Sequence, residues 1–581
     1  MSAIIYDDLL NLLKNKEYTK IEKQYQNSFG DFNKDKKILN FFAVYYLGKS
    51  NFFEVEKCLR LAQKIDKNYY NTIINYANLY ICQKKIDDAI PYLERAIYLS
   101  DNTNYPLNLL ANIFLKQKNL LSAKKLFIQL IKKEKENTDY LFKLGNILFL
   151  ETKYNSSIKI YLKILKTNKV FAKVYLELAN CYFKLNNFDQ SIKYLDKGIE
   201  LFPNIVNLYL RKNEILRSYG KFEDALNVLN ISSKIFPNEP SLIFAKSKLI
   251  NYQKFSNEIN SYELLFVSLS NSMSKAILGF ALFKIFNDLK EYDKASRYLD
   301  EANKIKFNLT NYSKDLENQQ FAFLRDNFTK NYVYKFFENK KSKIQGPIFI
   351  VGMQRSGSTL LEQMLAAHSK SNGLGEVDFY PIIFQKYFDD YDLALFKKSL
   401  SKLKKEQLAQ LGNQYLKKVN FANNYISIDK LLSNFKLVAP ILMSLPNAKI
   451  IHIFRNSADV CFSIYSNFFN METMPWSSDQ SSIINYLREY KLLMKHWNDL
   501  FPDSILNISY EALIEEPKNV LGSVLNFCNL EWEDQCLEFY KNKNKVETES
   551  LLQVRKKIDK SYVEKYNPYK KYYKNFFETN F

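Results

Sequence analysis

The stretch IFIVGMQRSGSTLLEQMLAAHS, residues 348–369, decides the fold of the second half of this chain. Its apolar run Ile348–Val351 predicts a buried parallel strand, and the amphipathic residues from Ser358 onward predict a helix. The glycine-bearing turn Gly352–Gly357 joins the strand to the helix. Backbone N–H groups and the helix dipole point at one place in such a turn, so the stretch predicts an anion-binding loop.

The spacing of this loop, GxxxxG followed by two residues, is that of a nucleotide-binding P-loop with one substitution. Ser358 stands where ATPases and kinases have lysine, so the usual grip on the β- and γ-phosphates and their Mg²⁺ is missing. The basic residue is instead Arg355, inside the loop. A P-loop kinase is therefore disfavoured. The predicted anion donors are Arg355, Ser356, Gly357, Ser358 and Thr359.

A second block, PNAKIIHIFRNSADVCFSIY, spans residues 446–465. Its apolar run Lys449–Phe454 predicts a strand that ends at Arg455, and a helix is expected from about Ser457, with Ser463 eight residues beyond the arginine. An arginine at the carboxyl end of a strand can grip a phosphate bidentately, and a hydroxyl can add a hydrogen bond. Ligands of open α/β sheets bind at that edge, so both blocks predict one anion site.

The first half of the chain repeats with a period of 34 residues. Each unit predicts two helices, because small residues mark the close approach of helices and larger ones fill the neighbouring gap. A single unit cannot bury its own apolar face, so the units must stack. The small residues are Ala43, Ala77, Ala111, Gly145 and Ala179 in the first helix and Ala89, Ala123, Ser157, Ser191 and Ala225 in the second.

At 581 residues the chain predicts a repeat array plus a domain rather than one core. Its formal net charge of +21 suits an anionic partner, with a lysine-rich solvated surface as the alternative. Six cysteines without CxxC spacing predict reduced thiols, and three histidines disfavour a histidine-rich metal site. The N-terminus lacks signal-peptide features, and no apolar run reaches the roughly 18 residues of a membrane span. We expect a soluble, cytoplasmic protein.

Residues 35–237 resemble the tetratricopeptide repeat (TPR) family, and the two anion-binding blocks resemble those of sulfotransferases. Together they are similar to TPR-containing bacterial sulfotransferases related to the tyrosylprotein sulfotransferases. The resemblance implies an N-terminal all-α TPR solenoid followed by a P-loop-like α/β domain with a central parallel sheet. The expected domains are a TPR array over 1–310 (degenerate over 238–305), a connecting helix over 311–345 and a sulfotransferase domain over 346–581.

The resemblance also implies the donor, 3′-phosphoadenosine 5′-phosphosulfate (PAPS), used without a metal. Residues 355–359 would hold its 5′-phosphosulfate, and Arg455 with Ser463 its 3′-phosphate. Lys430 matches the family's catalytic lysine, which acts at the oxygen that leaves sulfur. The other matches are Tyr510 at the adenine, Ser550 and Gln553 of a Ser-x-x-Gln-Val motif, and Lys565 at the cofactor phosphates.

Sulfuryl transfer needs a base that accepts the proton of the acceptor hydroxyl. The resemblance favours Glu376 in GLGEVDFY, residues 373–380, with Asp378 as the alternative base. His368 and His452 have suitable chemistry as well, but His452 lies in a predicted strand and is expected in the core.

The acceptor stays open at this point. Residues 375–379 read GEVDF where the tyrosylprotein enzymes read GEETR, and Asn467 replaces a further arginine. A protein tyrosine, a small phenol, a sugar hydroxyl and a lipid headgroup are all compatible. The TPR array, about residues 35–305, is expected to recruit the acceptor rather than the donor, and no nucleic-acid partner is expected. The alternative function is a TPR adaptor with a non-catalytic nucleotide-binding domain. Joint retention of the loop arginine, Lys430, Arg455 and Glu376 argues against that alternative.

Overall fold

The structure is a computed structural model that forms two compact units, Met1–Pro203 and Asn204–Phe581. None of its described helices has the length and apolar character that crossing a membrane requires. The domain boundaries expected from the sequence stay a prediction. The described residues are 2–32, 34–99, 103–254, 256–336, 346–388, 392–419, 425–542, 545–546, 548, 554–559, 564 and 566–578.

The first unit contains α-helices that pack in successive pairs, as the 34-residue period predicts. They are α1 Ser2–Lys14, α2 Tyr18–Phe32, α3 Lys36–Gly48, α4 Phe52–Ile65, α5 Tyr70–Cys82, α6 Ile86–Leu99, α7 Tyr105–Lys116, α8 Leu120–Lys133, α9 Thr138–Leu150, α10 Tyr154–Thr167, α11 Ala172–Lys184 and α12 Phe188–Leu201.

Contacts between the two helices of a repeat explain the small residues of the period. The Ser157 hydroxyl donates a hydrogen bond of 2.8 Å to the Gly145 carbonyl, and the Ser191 hydroxyl donates one of the same length to the Ala179 carbonyl. A Cβ at Gly145 would lie 2.4 Å from the ring of Tyr161, which is fully buried. Small side chains are therefore required, because a short serine side chain of one helix reaches the backbone of the other.

The turn between the paired helices also repeats every 34 residues. In the first unit a residue with left-handed backbone follows each first helix, which lets the chain reverse sharply into the second helix. The spacing of these turns confirms the period that the side chains predict. The residues are Ser50 (φ 58°), Lys84 (61°), Lys118 (59°), Thr152 (59°) and Asn186 (60°).

The second unit begins with further helices that share a hydrophobic core with the rest of that unit. Phe321, for example, packs edge-to-face on Tyr486 with 5.3 Å between ring centroids, and Arg325 pairs with Glu489 at 2.9 Å. These helices are α13 Val206–Ser218, α14 Phe222–Ile235, α15 Pro240–Ser247, α16 Asn257–Ser268, α17 Ser272–Asp288, α18 Tyr292–Asn308, α19 Lys314–Asn327 and α20 Lys330–Val333.

The segment predicted as one connecting helix over 311–345 contains α19 and α20, and its residues 337–345 lie outside the described residues. Helix α19 ends at Asn327 and a new helix starts because the Thr329 hydroxyl accepts a 3.3 Å hydrogen bond from the Tyr332 amide. Both helices contribute side chains to the core, so this segment is part of the packed unit.

The second unit is built on a five-stranded parallel sheet in the order β2-β3-β1-β4-β5. Both faces of the sheet are covered: Ile348 and Ile350 point into one hydrophobic cluster, and Phe349 and Val351 into another. This explains the unbroken apolar run of the first strand. The strands are β1 Ile348–Gly352, β2 Ser371–Gly375, β3 Ile426–Asp429, β4 Lys449–Phe454 and β5 Ile505–Ser509.

Residues at the carboxyl ends of the strands come together because every strand is parallel. Glu376 follows β2, Lys430 follows β3, Arg455 follows β4 and Tyr510 follows β5, each without an intervening residue. The accompanying helices are α21 Ser358–Ala366, α22 Phe379–Phe384, α23 Leu393–Ser401, α24 Lys405–Lys418, α25 Val438–Ser444, α26 Ser457–Tyr465, α27 Gln480–Leu500, α28 Tyr510–Glu515 and α29 Pro517–Phe527.

Candidate functional site

The loop between β1 and α21 has a backbone that only glycine allows at two positions. A Cβ at Gly352 would lie 2.4 Å from the Ile453 carbonyl oxygen of the adjacent strand. Gly357 has a left-handed backbone (φ 94°), and a Cβ there would lie 2.1 Å from the Tyr510 ring. The loop therefore closes tightly over the sheet edge, and the first amides of α21 lack partners within the helix.

The side chains of the loop point in different directions. The Arg355 Nε donates a 2.9 Å hydrogen bond to the Ser463 hydroxyl, and Arg355 itself has a left-handed backbone (φ 71°). The Ser356 hydroxyl is fully buried and finds no hydrogen-bond partner among the described residues. Ser358 is also buried, and the Thr359 hydroxyl donates to the Thr548 hydroxyl at 3.2 Å. The loop therefore contacts the second predicted block through the hydrogen bond from Arg355 to Ser463.

Arg455, at the end of β4, makes contacts with three residues. It pairs with Asp459 at 2.9 Å, and its Nη1 donates to the Arg355 carbonyl at 3.5 Å. Its guanidinium lies over the Tyr510 ring, 4.7 Å from the centroid. The structure therefore brings together four predicted site residues, which are Arg355, Arg455, Ser463 and Tyr510. It also adds Asp459, which the sequence analysis missed. The sequence does contain a signal for this ion pair, because Asp459 stands four residues after Arg455 near the start of a helix.

A narrow cleft of about 30 Å³ opens beside these residues and is lined by both charged and apolar side chains. Arg355, Gly357, Arg455 and Tyr510 form one side of it. Its walls bring aromatic rings and aliphatic side chains close to two guanidinium groups. The remaining lining residues are Leu360, Ile514, Phe539, Val554, Lys557, Ile558 and Asp559.

Glu376 and Lys430 form an ion pair at the other end of the sheet edge. The distance from Lys430 Nζ to Glu376 Oε1 is 2.6 Å, and Glu362 Oε2 lies 3.9 Å from the same nitrogen. The lysine side chain is fully buried, whereas that of Glu376 is 44% exposed. Asp378, the alternative base, is exposed just before α22. The Glu376 carboxylate of this pair is therefore open to solvent, and the Lys430 ammonium is buried next to it.

Two buried carboxyl groups surround this lysine and were missed by the sequence analysis. Burial raises the pKa of Glu362, against the Lys430 charge and the Gly375 amide, which donates to it at 2.8 Å. Burial likewise raises the pKa of Asp429 to about 7, although the Leu431 amide and the Tyr415 hydroxyl donate to it. The sequence signal for Glu362 was its position as an acid within the apolar helix sequence LLEQM.

The two histidines considered as bases are both engaged elsewhere. His452 is buried in β4, where Nδ1 is 2.6 Å from Asn507 Oδ1 and Nε2 bonds with the Tyr490 hydroxyl. Burial lowers the pKa of His452 to about 4, so it is neutral at pH 7. His368 is buried and its Nε2 lies 3.0 Å from the Glu531 carbonyl oxygen. The expectation of a core position for His452 is confirmed.

Three predicted site residues, Ser550, Gln553 and Lys565, lie outside the described residues. Residues close to them in sequence are described. The Val546 amide donates to the Ser218 carbonyl at 3.0 Å, and Arg555 Nη2 donates to the same oxygen at 3.2 Å. The ends of the segment that carries Ser550 and Gln553 are therefore anchored on the last residue of α13.

Known proteins resemble this chain in both parts. Residues 347–534 match the model of the sulfotransferase family, and residues 70–103 and 172–205 match the tetratricopeptide repeat. An uncharacterized protein of Aquifex aeolicus is 36% identical over 52% of this chain and 40% of its own length. A protein-tyrosine sulfotransferase of Drosophila melanogaster is 24% identical over 36% of this chain and 44% of its own. The chain thus spans less than half the length of these two curated relatives.

Among solved structures, the sulfotransferase domain of the Synechococcus PCC 7002 olefin synthase aligns with 39% of this chain and 90% of its own. The identity is 22% and the TM-score is 0.29. The family match covers the loop, the second block and the sheet described above. It therefore supports the assignment of residues 347–534 as a sulfotransferase domain. Residues 347–534 of the chain thus match the sulfotransferase family, and two matches to the tetratricopeptide repeat precede that stretch.

Proposed function

We propose that this protein transfers a sulfuryl group from PAPS to an acceptor hydroxyl. The observation that carries the proposal is the contact of Arg355 with Ser463, beside Arg455 and Tyr510. It unites a P-loop that lacks the kinase lysine with a phosphate-gripping arginine on the neighbouring strand. Such a site offers hydrogen bonds and positive charge to a nucleotide and has no lysine at the position that holds γ-phosphates.

Each part of the donor has a matching group in this site. The adenine would pack against the rings and aliphatic side chains beside Tyr510, and Arg455 with Ser463 would hold the 3′-phosphate. The amides of the first turn of α21 would receive the 5′-phosphosulfate. The buried Ser356 hydroxyl, which lacks a partner among the described residues, offers a further hydrogen bond there. Roles for Ser550, Gln553 and Lys565 at the donor remain part of the proposal by resemblance alone.

The proposed chemistry is an in-line displacement at sulfur. The acceptor oxygen bonds to sulfur as the bond from sulfur to the phosphate oxygen breaks, and 3′-phosphoadenosine 5′-phosphate (PAP) leaves. Glu376 accepts the proton of the acceptor hydroxyl, and Lys430 offsets the charge that develops on the leaving oxygen. The 2.6 Å contact between them couples these roles. Protonation neutralises Glu376 and weakens its hold on Lys430 just as negative charge grows on the leaving oxygen.

The direct test is a binding titration followed by an activity assay. PAP should bind to the metal-free protein in the micromolar range or tighter, and Mg²⁺ should leave its affinity unchanged. ATP should bind at least about tenfold more weakly, because the loop lacks the phosphate-binding lysine. Transfer from PAPS to a small phenol should then be detected. Binding of PAP without any transfer would favour the adaptor function, and a preference for Mg-ATP would contradict the proposal.

We propose that the acceptor is a protein tyrosine and that the first unit recruits it. A cleft of that unit is lined by the exposed Lys37 and the half-exposed Val44 of α3, with the buried Asn40 and Phe41 of the same helix behind them. Asn75 of α5 lines the same cleft and donates to the Asn40 side chain at 2.9 Å. Amide, ammonium and aromatic groups together suit an extended acidic peptide. This surface contains none of the residues assigned to the donor.

A fragment of residues 204–581 should separate donor binding from recruitment. A fragment that starts near residue 340 is unsuitable because α15–α19 belong to the core of the second unit. The fragment 204–581 should bind PAP and sulfate a small phenol within about twofold of the full chain. For an acidic tyrosine-containing peptide, its KM should rise at least about tenfold with kcat little changed. An unchanged KM for the peptide would show that residues 1–203 do not recruit it.

A further inference from the structure

Arg217, in the last turn of α13, lies in a second cleft next to the candidate donor site. The cleft lies within the second unit. Its lining includes Arg217 and Lys248 as well as Arg355, Arg455 and Ser463. Residues from a repeat helix and from the sulfotransferase domain therefore face the same space.

The guanidinium of Arg217 has unsatisfied hydrogen-bonding capacity. Its Nε is buried, and neither a hydrogen bond nor an ion pair of this side chain is found within the described part of the chain. A buried donor without an acceptor costs free energy unless a ligand supplies one. The neighbouring cations differ, since Lys284 bonds with Asp288, and Arg455 pairs with Asp459 at 2.9 Å.

The carboxylates that line this cleft are already engaged. Asp288 accepts from Lys284 and, at 3.2 Å, from the Tyr252 amide, and Asp459 accepts from Arg455. Asn467, which also lines the cleft, donates its side-chain amide to the Ser463 carbonyl at 2.7 Å and adds no charge. The basic residues that line the cleft outnumber its two carboxylates, so the cleft favours an anionic ligand.

The position of the arginines identifies which anion fits. Arg355 and Arg455 line both this cleft and the narrow cleft beside Tyr510. A nucleotide whose base packs against Tyr510 would bring the phosphate on its ribose close to these two arginines. Arg217 lines the second cleft with them, and its buried Nε can supply a further donor to that phosphate. Guanidinium groups are well suited to this, since they bind phosphate bidentately.

We propose that Arg217 binds the 3′-phosphate of the sulfuryl donor, so that a helix of the repeat region completes the donor site. This inference rests on the proposed function. The residue next to Arg217 is also tied to the C-terminal segment, because the Ser218 carbonyl accepts from the Val546 amide and from Arg555.

The test compares the full-length Arg217→Gln variant with wild type by calorimetric titration of PAP and of AMP, which lacks the 3′-phosphate. We expect PAP to bind about 10- to 100-fold more weakly to the variant, as for a hydrogen-bonded charge contact, with AMP changed less than about twofold. Arg217→Lys should retain part of the PAP affinity. Arg211→Gln on the same helix, where Arg211 pairs with Glu214 at 2.9 Å, is the matched control and should change neither affinity.

Three outcomes would overturn the inference. Equal losses for PAP and AMP, with a lowered melting temperature, would assign Arg217 a purely structural role. Unchanged PAP affinity would remove the contact altogether. Unchanged PAP affinity with a raised KM for an acidic tyrosine peptide would assign the cleft to the acceptor. If the wild-type protein itself fails to bind PAP, the proposed function fails, and that result is visible before any variant is made.

Discussion

Replacing Glu376 by glutamine should lower turnover by about 10² to 10⁴-fold, the range for loss of a positioned general base, while PAP affinity stays within about twofold. Glutamine keeps the shape of the side chain but cannot accept the acceptor proton. It also removes the negative charge that holds Lys430 at 2.6 Å. Single-turnover transfer from PAPS to a small phenol, measured beside PAP titrations, separates the chemical step from donor binding.

The matched control for this variant is Asp378→Asn, which changes an exposed carboxyl two residues away. It should leave turnover nearly unchanged. If Asp378→Asn loses activity and Glu376→Gln keeps it, the base is Asp378 and the assignment is wrong, although the family is not. Lys430→Ala is less diagnostic, because it also leaves Glu362 buried without its nearby cation at 3.9 Å.

Replacing Arg455 by alanine should weaken PAP by about 2–5 kcal/mol, or about 30- to several thousand-fold, if the phosphate contact is desolvated. The arginine is 11% exposed and lies over the Tyr510 ring, so both a charge and a stacking surface disappear. Titration of PAP without metal measures the loss. AMP should lose less affinity than PAP, since only PAP carries the 3′-phosphate.

Stability must be followed in this variant, because alanine at 455 leaves Asp459 buried without its cation. Arg455→Lys keeps a positive charge and should restore part of the affinity if the contact is to phosphate. Arg488→Ala removes an arginine that is 54% exposed on α27 and should change nothing. A folded Arg455→Ala protein that binds PAP as tightly as wild type would contradict the proposed donor site.

Much of the fold could be predicted from the sequence because its signals are local. The strand Lys449–Phe454 and the helix from Ser457 are where the apolar run and the following polar residues place them. The repeat period arises from contacts within one pair of helices, such as Ser157 with Gly145, so a 34-residue window contains its whole cause. The number of helices over residues 311–336 was less predictable, since a single threonine hydroxyl starts the second one.

Part of the candidate site could likewise be predicted from local sequence, and part could not. The sequence by itself determined the glycine loop, the strand–arginine–serine block and the order of the two, because each is written in contiguous residues. Only the tertiary structure decided that Lys430 is buried against Glu362 and Glu376, and that Arg217 shares a cleft with Arg355. Such contacts join residues from separate parts of the chain. Their spacing in the sequence carries no period or motif, because parallel strand order and helix packing alone bring them together.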